Sequence, residues 1–301
     1  MKVTFYLTMS VLLVLLLSLV SCDRDTWTDD SAEIIFRDGK FLEAILENPG
    51  NSVDIDRDGR ITQKEARTAT YLDVSLSGIG SMEELAYFTS LTELRCYGNR
   101  LTSLDLSGNT KLERLNCSSN QLSSLDAGDN PDLTLLYCYS NALTTLDVSV
   151  NGALEELDCS DNGLSSLDVG GNASLKTLNC SYNGLSVLDV SASSSLAVLD
   201  CSYNGISSLD VGSNPSLTVL NVCGNGIPVL DLVSCTALEE LYCDDNLLTS
   251  LDLRHSKGLE ALTCSRNHLE RMVLYRAHKL SGATIDAIVS EYGDIIEYEY
   301  D

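Results

Sequence analysis

A period of 21 residues governs this sequence. A leucine recurs at that interval at ten positions: Leu91, Leu112, Leu133, Leu154, Leu175, Leu196, Leu217, Leu238, Leu259 and Leu280. The copy at residues 154–174 has the pattern L-x-x-L-x-C-x-x-N-x-L-x-x-L-D-V-x-x-N-x-x. One such unit cannot bury its apolar face alone, so neighbouring units must stack to form a continuous core. The period therefore predicts a solenoid, in which chain length counts repeats rather than globular domains.

Each copy has a short alternating segment that predicts a β-strand. Around the fourth to sixth positions, as in Leu157-Asp158-Cys159, apolar and polar residues alternate. We expect Leu157 and Cys159 to point inward, while their neighbours point outward: Glu156, Asp158 and Ser160. Ten coils, nine regular copies over residues 91–279 and a transitional coil over 71–90, would form a parallel sheet. At the usual strand spacing this sheet would be roughly 45–50 Å long, with the outward face concave.

Eight cysteines share one repeat position, which we name the thiol column: Cys96, Cys117, Cys138, Cys159, Cys180, Cys201, Cys243 and Cys264. Val222 fills this position in the seventh copy, which indicates an apolar core position because free cysteine behaves as a small buried hydrophobe. Side chains of stacked strands run parallel, a poor geometry for disulfides. We therefore expect reduced thiols. Cys223 and Cys235 lie off the column, where they could be exposed.

Two further columns of polar residues follow the same period. The Asn column is Asn99, Asn120, Asn141, Asn162, Asn183, Asn204, Asn225, Asn246 and Asn267. Its amides are expected to satisfy backbone groups that each turn buries. The Asp column is Asp105, Asp126, Asp147, Asp168, Asp189, Asp210, Asp231 and Asp252. Its carboxylates could bind cations, or accept N–H groups of the following turn. Repulsion between exposed neighbours is about 1 kcal/mol, less than the ~1.5–3 kcal/mol from a hydrogen bond to a charged group, which favours the turn.

The first 30 residues indicate export. Residues 1–21 combine Lys2 with an apolar run too short for a comfortable membrane span, which is typical of a signal peptide. The segment Leu19-Val20-Ser21-Cys22 resembles the bacterial lipobox, which implies a lipid on Cys22 and stable membrane anchoring. Residues 22–30 would then be the lipidated cysteine and a polar tether. The alternative is an ordinary secretory signal cleaved near Cys22.

The formal net charge of −25 argues against nucleic acid and against adsorption to anionic membranes. A neutral or basic partner fits this charge, and so does a simply solvated exterior. We expect a monomer whose contact with the membrane is made by the lipid anchor.

Residues 31–70 predict a helical N-terminal cap with a helix over about 40–47. The segment at residues 54–65 matches the EF-hand loop pattern, with a glycine at its sixth position, Gly59. Ca²⁺ prefers six to eight oxygen ligands, and a tight turn at Gly59 would let three carboxylates converge. The predicted ligands are Asp54, Asp56, Asp58, the carbonyl of Arg60, Thr62 and Glu65. The alternative is an acidic turn without metal. Thr62 also begins a capping box, which predicts a short exit helix through about Thr68.

The C-terminal residues 280–301 depart from the repeat and predict a cap. Residues 281–292 have a helical pattern, and residues 294–300 form a possible closing strand. An unmodified terminal coil would leave the core and a bare strand edge exposed.

The array resembles the cysteine-containing leucine-rich repeats of the internalin-J type. Residues 31–279, with their helix, single calcium-type loop and the transition Ala86-Tyr87-Phe88-Thr89-Ser90-Leu91, are similar to predicted surface leucine-rich-repeat lipoproteins of Bacteroidetes. The resemblance implies a right-handed α/β-type solenoid with a parallel sheet on the concave face and little helix on the convex side. It also implies a binding or adhesion role at the outer membrane or cell surface, with a periplasm-facing lipoprotein as the alternative.

The informative positions for a ligand face outward and vary between copies. The central row is Arg95, Asn116, Tyr137, Asp158, Asn179, Asp200, Asn221, Tyr242 and Thr263. The post-thiol row is Tyr97, Ser118, Tyr139, Ser160, Ser181, Ser202, Cys223, Asp244 and Ser265. Tyrosine and arginine are favoured in binding patches, although strands favour tyrosine in any case. The candidate ligand-binding residues are Arg95, Tyr97, Leu135, Tyr137, Tyr139, Asp158 and Tyr242.

Three functions are compatible with these residues. The first is recognition of a protein through the concave face. The second is capture of a glycan by tyrosine faces with nearby asparagine and aspartate, and the third is a structural role in the cell envelope. We do not expect an enzyme, because the three histidines lie near the C-terminal cap and nothing predicts the enclosed pocket that catalysis needs.

Overall fold

The computed structural model describes residues 31–299, and these residues form a solenoid with a ten-stranded parallel sheet. The sheet has the order β1-β2-β3-β4-β5-β6-β7-β8-β9-β11. Its strands are β1 (Tyr71–Asp73), β2 (Glu93–Arg95), β3 (Arg114–Asn116), β4 (Leu135–Tyr137), β5 (Glu156–Asp158), β6 (Thr177–Asn179), β7 (Val198–Asp200), β8 (Val219–Asn221), β9 (Glu240–Tyr242) and β11 (Ala261–Thr263). The predicted ten coils and parallel sheet are confirmed.

Each strand begins one residue earlier than the sequence predicts. The strand β5 covers Glu156–Asp158 rather than Leu157–Cys159. The alternation itself is confirmed, since Leu157 and Cys159 are fully buried whereas Glu156 and Asp158 are partly exposed. Neighbouring strands pair in register at the 21-residue interval, with Leu136 opposite Leu157 and Tyr137 opposite Asp158. This register stacks each inward leucine on its equivalent one coil away.

The thiol column lies inside the core. All eight of its cysteines are buried and free, and Val222 is buried at the same position. The expectation that Cys223 and Cys235 could be exposed is wrong, since both are buried. Cys223 faces outward, but its Sγ lies 3.6 Å from a carboxylate oxygen of Asp244 on the next coil, which covers it.

A second column of buried asparagines, to which the sequence reasoning gave no role, explains the burial of Cys235. Each asparagine Nδ2 donates to two backbone carbonyls of the preceding coil; Asn172, for example, donates to Val148 at 3.0 Å and to Asn151 at 2.9 Å. The column contains Asn109, Asn130, Asn151, Asn172, Ser193, Asn214, Cys235 and Ser256. Cys235 therefore occupies a core position that usually holds an amide.

The Asn column joins neighbouring coils, as predicted. Nδ2 of Asn162 donates to the carbonyl of Cys138 on the preceding coil at 3.1 Å and to that of Cys159 on its own coil at 3.2 Å. Its Oδ1 accepts the N–H of Leu143 at 3.0 Å. One amide thus satisfies donors and acceptors of two coils at the turn after the strand.

The Asp column has the predicted turn geometry. In every member Oδ1 accepts the backbone N–H two residues later, as when Gly170 donates to Asp168 at 2.8 Å and Ser149 to Asp147 at 2.9 Å. Asp105, Asp147 and Asp189 have lowered pKa values because the residue two positions later donates hydrogen bonds to each carboxylate. Turn stabilisation therefore accounts for this column.

The N-terminal cap contains helices α1 (Gly39–Glu47) and α2 (Gln63–Thr68) and a 3₁₀-helix (Glu83–Tyr87). Phe41 on α1 packs against Phe36 and Phe88, with ring centroids 5.3 and 6.2 Å away. Before α2, an antiparallel bridge joins Glu33 to Thr62. The predicted helices are confirmed, and the first coil is covered by aromatic side chains rather than by another repeat.

The C-terminal cap adds a second sheet that the sequence did not predict. Strands β10 (Ser250–Leu253), β12 (Arg271–Tyr275) and β13 (Ile296–Glu299) form a parallel three-stranded sheet in the order β10-β12-β13. Helix α3 (Gly282–Tyr292) is capped by Ser281, whose hydroxyl accepts the N–H of Thr284. The helix and the closing strand match the prediction for this segment. Over residues 31–299, no helix has both the length and the apolar character required to cross a membrane.

Candidate functional site

The concave face has three outward rows, and they differ in accessibility. The central and post-thiol rows are preceded by a leading row at the first residue of each strand: Tyr71, Glu93, Arg114, Leu135, Glu156, Thr177, Val198, Val219, Glu240 and Ala261. In the post-thiol row, Ser118, Ser181 and Ser202 are buried, because the hydroxyl of each bonds to the side chain two residues earlier on its own strand. The surface available to a ligand is therefore mainly the leading and central rows.

Aromatic, aliphatic and guanidinium groups meet on strands β1–β5. We name this patch the N-terminal concave cluster: Tyr71, Glu93, Arg95, Arg114, Leu135, Tyr137 and Glu156. The Arg95 guanidinium lies 5.6 Å from the ring centroid of Tyr71, and its Nε donates to Glu93 at 2.7 Å. A cavity of about 60 Å³ opens between Arg95, Arg114, Leu135 and Tyr137.

The contacts within this cluster hold its side chains in place. Arg114 and Glu93 form an ion pair at 3.8 Å, and the Tyr137 hydroxyl donates to Glu156 at 2.5 Å. Partial burial and the bond to Glu156 raise the pKa of Tyr137 to about 12. The bond to Glu93 raises the pKa of Arg95. Side chains that are already ordered lose less conformational entropy when a ligand binds.

The structure brings together only some of the predicted ligand-binding residues. Arg95, Leu135 and Tyr137 line the same cavity, and Asp158 lies opposite Tyr137 on the next strand. Leu135 faces outward as predicted but is only 6% exposed, because it packs within the cluster. Tyr242 lies on β9, five strands from β4 and therefore roughly 24 Å away. Its hydroxyl donates to Glu240 instead.

Tyr97 and Tyr139 are half-buried in the post-thiol row, on either side of Ser118. They flank the cluster without lining its cavity. Tyr71, Glu93, Arg114 and Glu156 also belong to the cluster. The sequence placed Glu156 on the outward face but selected none of the four as a ligand-binding candidate. The signal that could have found them is the alternation itself, since the first residue of each strand has the same outward orientation as the third.

The acidic loop at residues 54–65 has the predicted turn. Ligand oxygens of Asp54, Asp56 and Asp58 lie within 4.8 Å of one another. Asp54 accepts the N–H groups of Asp58 and Gly59 at 3.2 and 3.0 Å, and Gly59 has φ +81°, a conformation that favours glycine. Three carboxylates are thus gathered by the backbone of a tight turn.

Glu65 closes the loop but does not join the group of three aspartates. Its Oε1 accepts the N–H of Ile55 at 2.9 Å, and its Oε2 accepts the N–H and the hydroxyl of Thr62. Burial raises the pKa of Glu65, but the hydrogen bonds from Thr62 and Ile55 outweigh it, so the pKa is lowered. The carboxylate is charged at neutral pH and connects both ends of the loop. An all-oxygen donor set of this kind suits a hard divalent cation.

Comparison with known proteins identifies the repeats. The family described as Leucine Rich repeats (2 copies) matches residues 89–127. No curated protein gives a significant match. Among solved structures, the functional domain of InlJ from Listeria monocytogenes, described as including a cysteine ladder, is 28% identical over 80% of this chain, with a TM-score of 0.45. The chain spans 64% of that domain, which is less than two thirds of its length.

Two other bacterial proteins have a similar fold. A leucine-rich-repeat protein of Leptospira interrogans is 22% identical, with a TM-score of 0.51, and the match covers 72% of this chain and 74% of that one. YopM from Yersinia enterocolitica is 26% identical, with a TM-score of 0.53, over 71% of this chain and 42% of its own. Solenoids of this kind generally mediate protein binding without catalysis. The chain therefore folds as a leucine-rich-repeat solenoid.

Proposed function

We propose that this protein is a non-catalytic binding or adhesion protein that recognises a protein partner through its concave face. The observation that carries the proposal is the N-terminal concave cluster, where Arg95, Arg114, Leu135 and Tyr137 surround one cavity on an open sheet. Arginine and tyrosine dominate the energetics of protein interfaces because they provide large contact areas and specific hydrogen bonds. Leu135 supplies an apolar centre among them.

The charge of the concave face indicates the chemistry of the partner. Its three rows, together with Asp73 at the equivalent central position of β1, contain seven carboxylates against two guanidinium groups, those of Arg95 and Arg114. The carboxylates belong to Asp73, Glu93, Glu156, Asp158, Asp200, Glu240 and Asp244. A partner surface with basic groups would be steered towards this face, and association would slow as salt is added.

Variants of the cluster test the proposal once a partner has been captured from cells with the purified protein. Arg114→Ala combined with Tyr137→Ala should weaken binding by about 30-fold or more, as expected for truncated interface anchors. The matched control is Tyr87→Ala, which removes a tyrosine that is 41% exposed on the 3₁₀-helix. If the double variant binds the partner as tightly as the unmodified protein, the cluster is not the contact surface.

A glycan ligand is the alternative that the same face supports. Tyr137 lies between Asn116 and Asp158 along the central row, so a sugar ring stacked on the tyrosine could also bond to the amide or the carboxylate. A glycan array separates the two functions. Binding to the array that is abolished by Tyr137→Ala would favour a glycan-binding function. A structural envelope component would bind neither a glycan nor a protein partner.

We further propose that residues 54–65 bind one structural calcium ion. The carboxylates of Asp54, Asp56 and Asp58, the carbonyl of Arg60, Thr62 and Glu65 would hold it. When bound, the ion would neutralise the repulsion among the three aspartates and fasten the N-terminal cap. Calcium should raise the melting temperature by about 2–5 °C relative to a chelator. Asp58→Asn should abolish that difference and Asp126→Asn should not; identical melting with calcium and chelator contradicts the proposal.

The export signal and Cys22 lie outside the described residues, and we retain lipidation as a proposal. The lipobox-like segment before Cys22 supports this proposal. The lipid would anchor the chain at the outer membrane or cell surface, or on a membrane facing the periplasm. Labelling with a radioactive fatty acid should mark the protein and not its Cys22→Ser variant. Protease treatment of intact cells would then distinguish surface exposure from periplasmic retention.

A further inference from the structure

One rim of the concave sheet carries a column of residues with positive φ, which we name the rim column. It lies two residues beyond the inward thiol column, where the chain leaves each strand. Its members are Gly98, Ser119, Ser140, Asp161, Tyr182, Tyr203, Gly224, Asp245 and Arg266. Most of them are glycine, serine or aspartate, which are small residues. Tyr182 and Tyr203, both at φ +52°, are exceptions, since bulky residues rarely adopt it.

The two tyrosines form a stacked pair in solvent. Their ring centroids are 4.4 Å apart with an interplanar angle of 16°, yet Tyr182 is 55% and Tyr203 46% exposed. The pair therefore contributes little to the core, although the backbone of each tyrosine is held in an unfavourable conformation. Unfavourable conformations that the surrounding fold maintains are concentrated at functional sites.

The backbone of Gly224 closes one outer face of this pair. A Cβ atom at Gly224 would lie 2.7 Å from the Tyr203 ring, so that ring rests on the glycine backbone. Tyr182 covers the opposite face of Tyr203. Because the coils stack in chain order, the remaining face of Tyr182 is directed towards the coil of Asp161.

Asp161 provides a carboxylate next to this open face. It is exposed, and one of its oxygens accepts the hydroxyl of Ser140 at 2.7 Å. Among residues 31–299 it makes no ion pair. Its side chain is much shorter than that of tyrosine, so the outer part of the exposed Tyr182 ring would extend beyond it. The exposed ring face and the neighbouring carboxylate would together form a slot with an aromatic wall and a negatively charged floor.

We propose that this slot binds the guanidinium group of an arginine from a protein partner. A guanidinium can stack on an aromatic face while its N–H groups donate in its own plane to a carboxylate. The proposal deepens the proposed function and rests on it for the identity of the partner as a protein.

The same column already contains the corresponding ion pair one coil apart. Nε and Nη2 of Arg266 donate to the two carboxylate oxygens of Asp245, its neighbour in the rim column. An arginine from outside would repeat this arrangement at Asp161, with Tyr182 as an added stacking surface. Elsewhere on the sheet, the guanidinium group of Arg95 lies over the ring of Tyr71, which is the same type of contact between a guanidinium and a tyrosine ring. The excess of carboxylates in the chain also favours a cation over a neutral ligand.

The test uses a small probe, so that it does not depend on finding the partner. The purified protein, labelled with 3-fluorotyrosine, is titrated with N-acetyl-arginine N-methylamide and followed by ¹⁹F NMR. The Tyr182 signal is assigned by its loss in Tyr182→Ser, a substitution that the column tolerates at Ser119 and Ser140. We expect the probe to shift that signal, with an affinity about threefold or more above that of the lysine analogue.

Matched variants separate the slot from general attraction to an acidic protein. Asp161→Asn should weaken arginine binding by about threefold or more, whereas Asp147→Asn, the same charge change in the Asp column, should leave it unchanged. Equal binding of the lysine and arginine probes, a shift caused by methyl glucoside instead, or no shift of the Tyr182 signal would each overturn the proposal. The binding of a protein partner by the double variant of Arg114 and Tyr137 is a separate experiment. Its outcome tests the proposed function and leaves the result of the probe titration unaffected.

Discussion

The Asn column and the Asp column have the same regularity in the sequence and opposite roles in the structure. Asn162 joins two coils through bonds to Cys138, Cys159 and Leu143. Asp168 bonds to Gly170 two residues away, within its own turn, and is exposed to solvent. One column therefore holds neighbouring coils together, whereas the other shapes a local bend. Repetition at a fixed position shows that a residue is required by the repeat, but not how far its contacts reach.

Removal of an inter-coil amide should have the largest effect. Asn162→Ala leaves two coils with unpaired backbone groups in a shielded turn, each at a cost of about 1–3 kcal/mol. We expect the free energy of unfolding to fall by roughly 3–5 kcal/mol, measured by urea denaturation with circular dichroism. A loss of less than 1 kcal/mol would contradict the inter-coil role.

A buried thiol should tolerate an apolar replacement and reject a polar one. Cys159→Val imitates the natural Val222 and should change the free energy of unfolding by less than about 1 kcal/mol. Cys159→Ser places a hydroxyl in the same apolar position and should cost roughly 2 kcal/mol. Equal stability of the two variants would show that the column is not a tightly packed core. Thiol titration should also find no rapid reaction in the folded protein.

Alkaline pH should reduce the stability that the buried thiol column contributes. Burial raises the pKa of Cys117, Cys159 and Cys201 to about 12, from an ordinary value of 9.0. Below pH 9 both folded and unfolded thiols are protonated and the stability is fully present. As pH rises from 9 towards 12, the unfolded thiol ionises first, so stability falls by about 1.4 kcal/mol per pH unit for each such thiol.

Comparison with Cys159→Val isolates this effect from tyrosine and lysine ionisation. Between pH 9 and 10.5 the free energy of unfolding of Cys159→Val should fall less steeply than that of the unmodified protein. The difference in slope should equal the contribution of one thiol. Parallel pH profiles for the two proteins would mean that Cys159 ionises in the folded state as easily as in the unfolded one.

Removal of a local turn acceptor should have the smallest effect. Asp168→Ala breaks one hydrogen bond in a solvated bend, so we expect a loss of about 0.5 kcal/mol, typical of an exposed substitution. Asp168→Asn retains an acceptor and should be close to neutral. The measurement is the same urea denaturation used for Asn162→Ala. A loss as large as that of the asparagine variant would mean that the Asp column also joins coils.

The candidate site was less predictable than the repeat. The alternation correctly placed Arg95, Leu135 and Tyr137 on the outward face, but it did not show that Glu93 and Arg114 complete the same cluster. Cys223 shows the converse limit, since an outward position proved to be buried under Asp244. Accessibility depends on how side chains of neighbouring coils cover one another, which a single repeat does not contain.

By itself, the sequence determined the solenoid, its coil number, the inward leucines and thiols, the turn geometry of the aspartates and the helices of both caps. These features follow from local periodicity and from backbone groups that every copy must satisfy. The tertiary structure decided the second C-terminal sheet, the burial of Cys223 and Cys235, the membership of the N-terminal concave cluster and the open face of Tyr182. Each of these depends on contacts between residues about one coil or more apart, where the size of one side chain determines the exposure of the next.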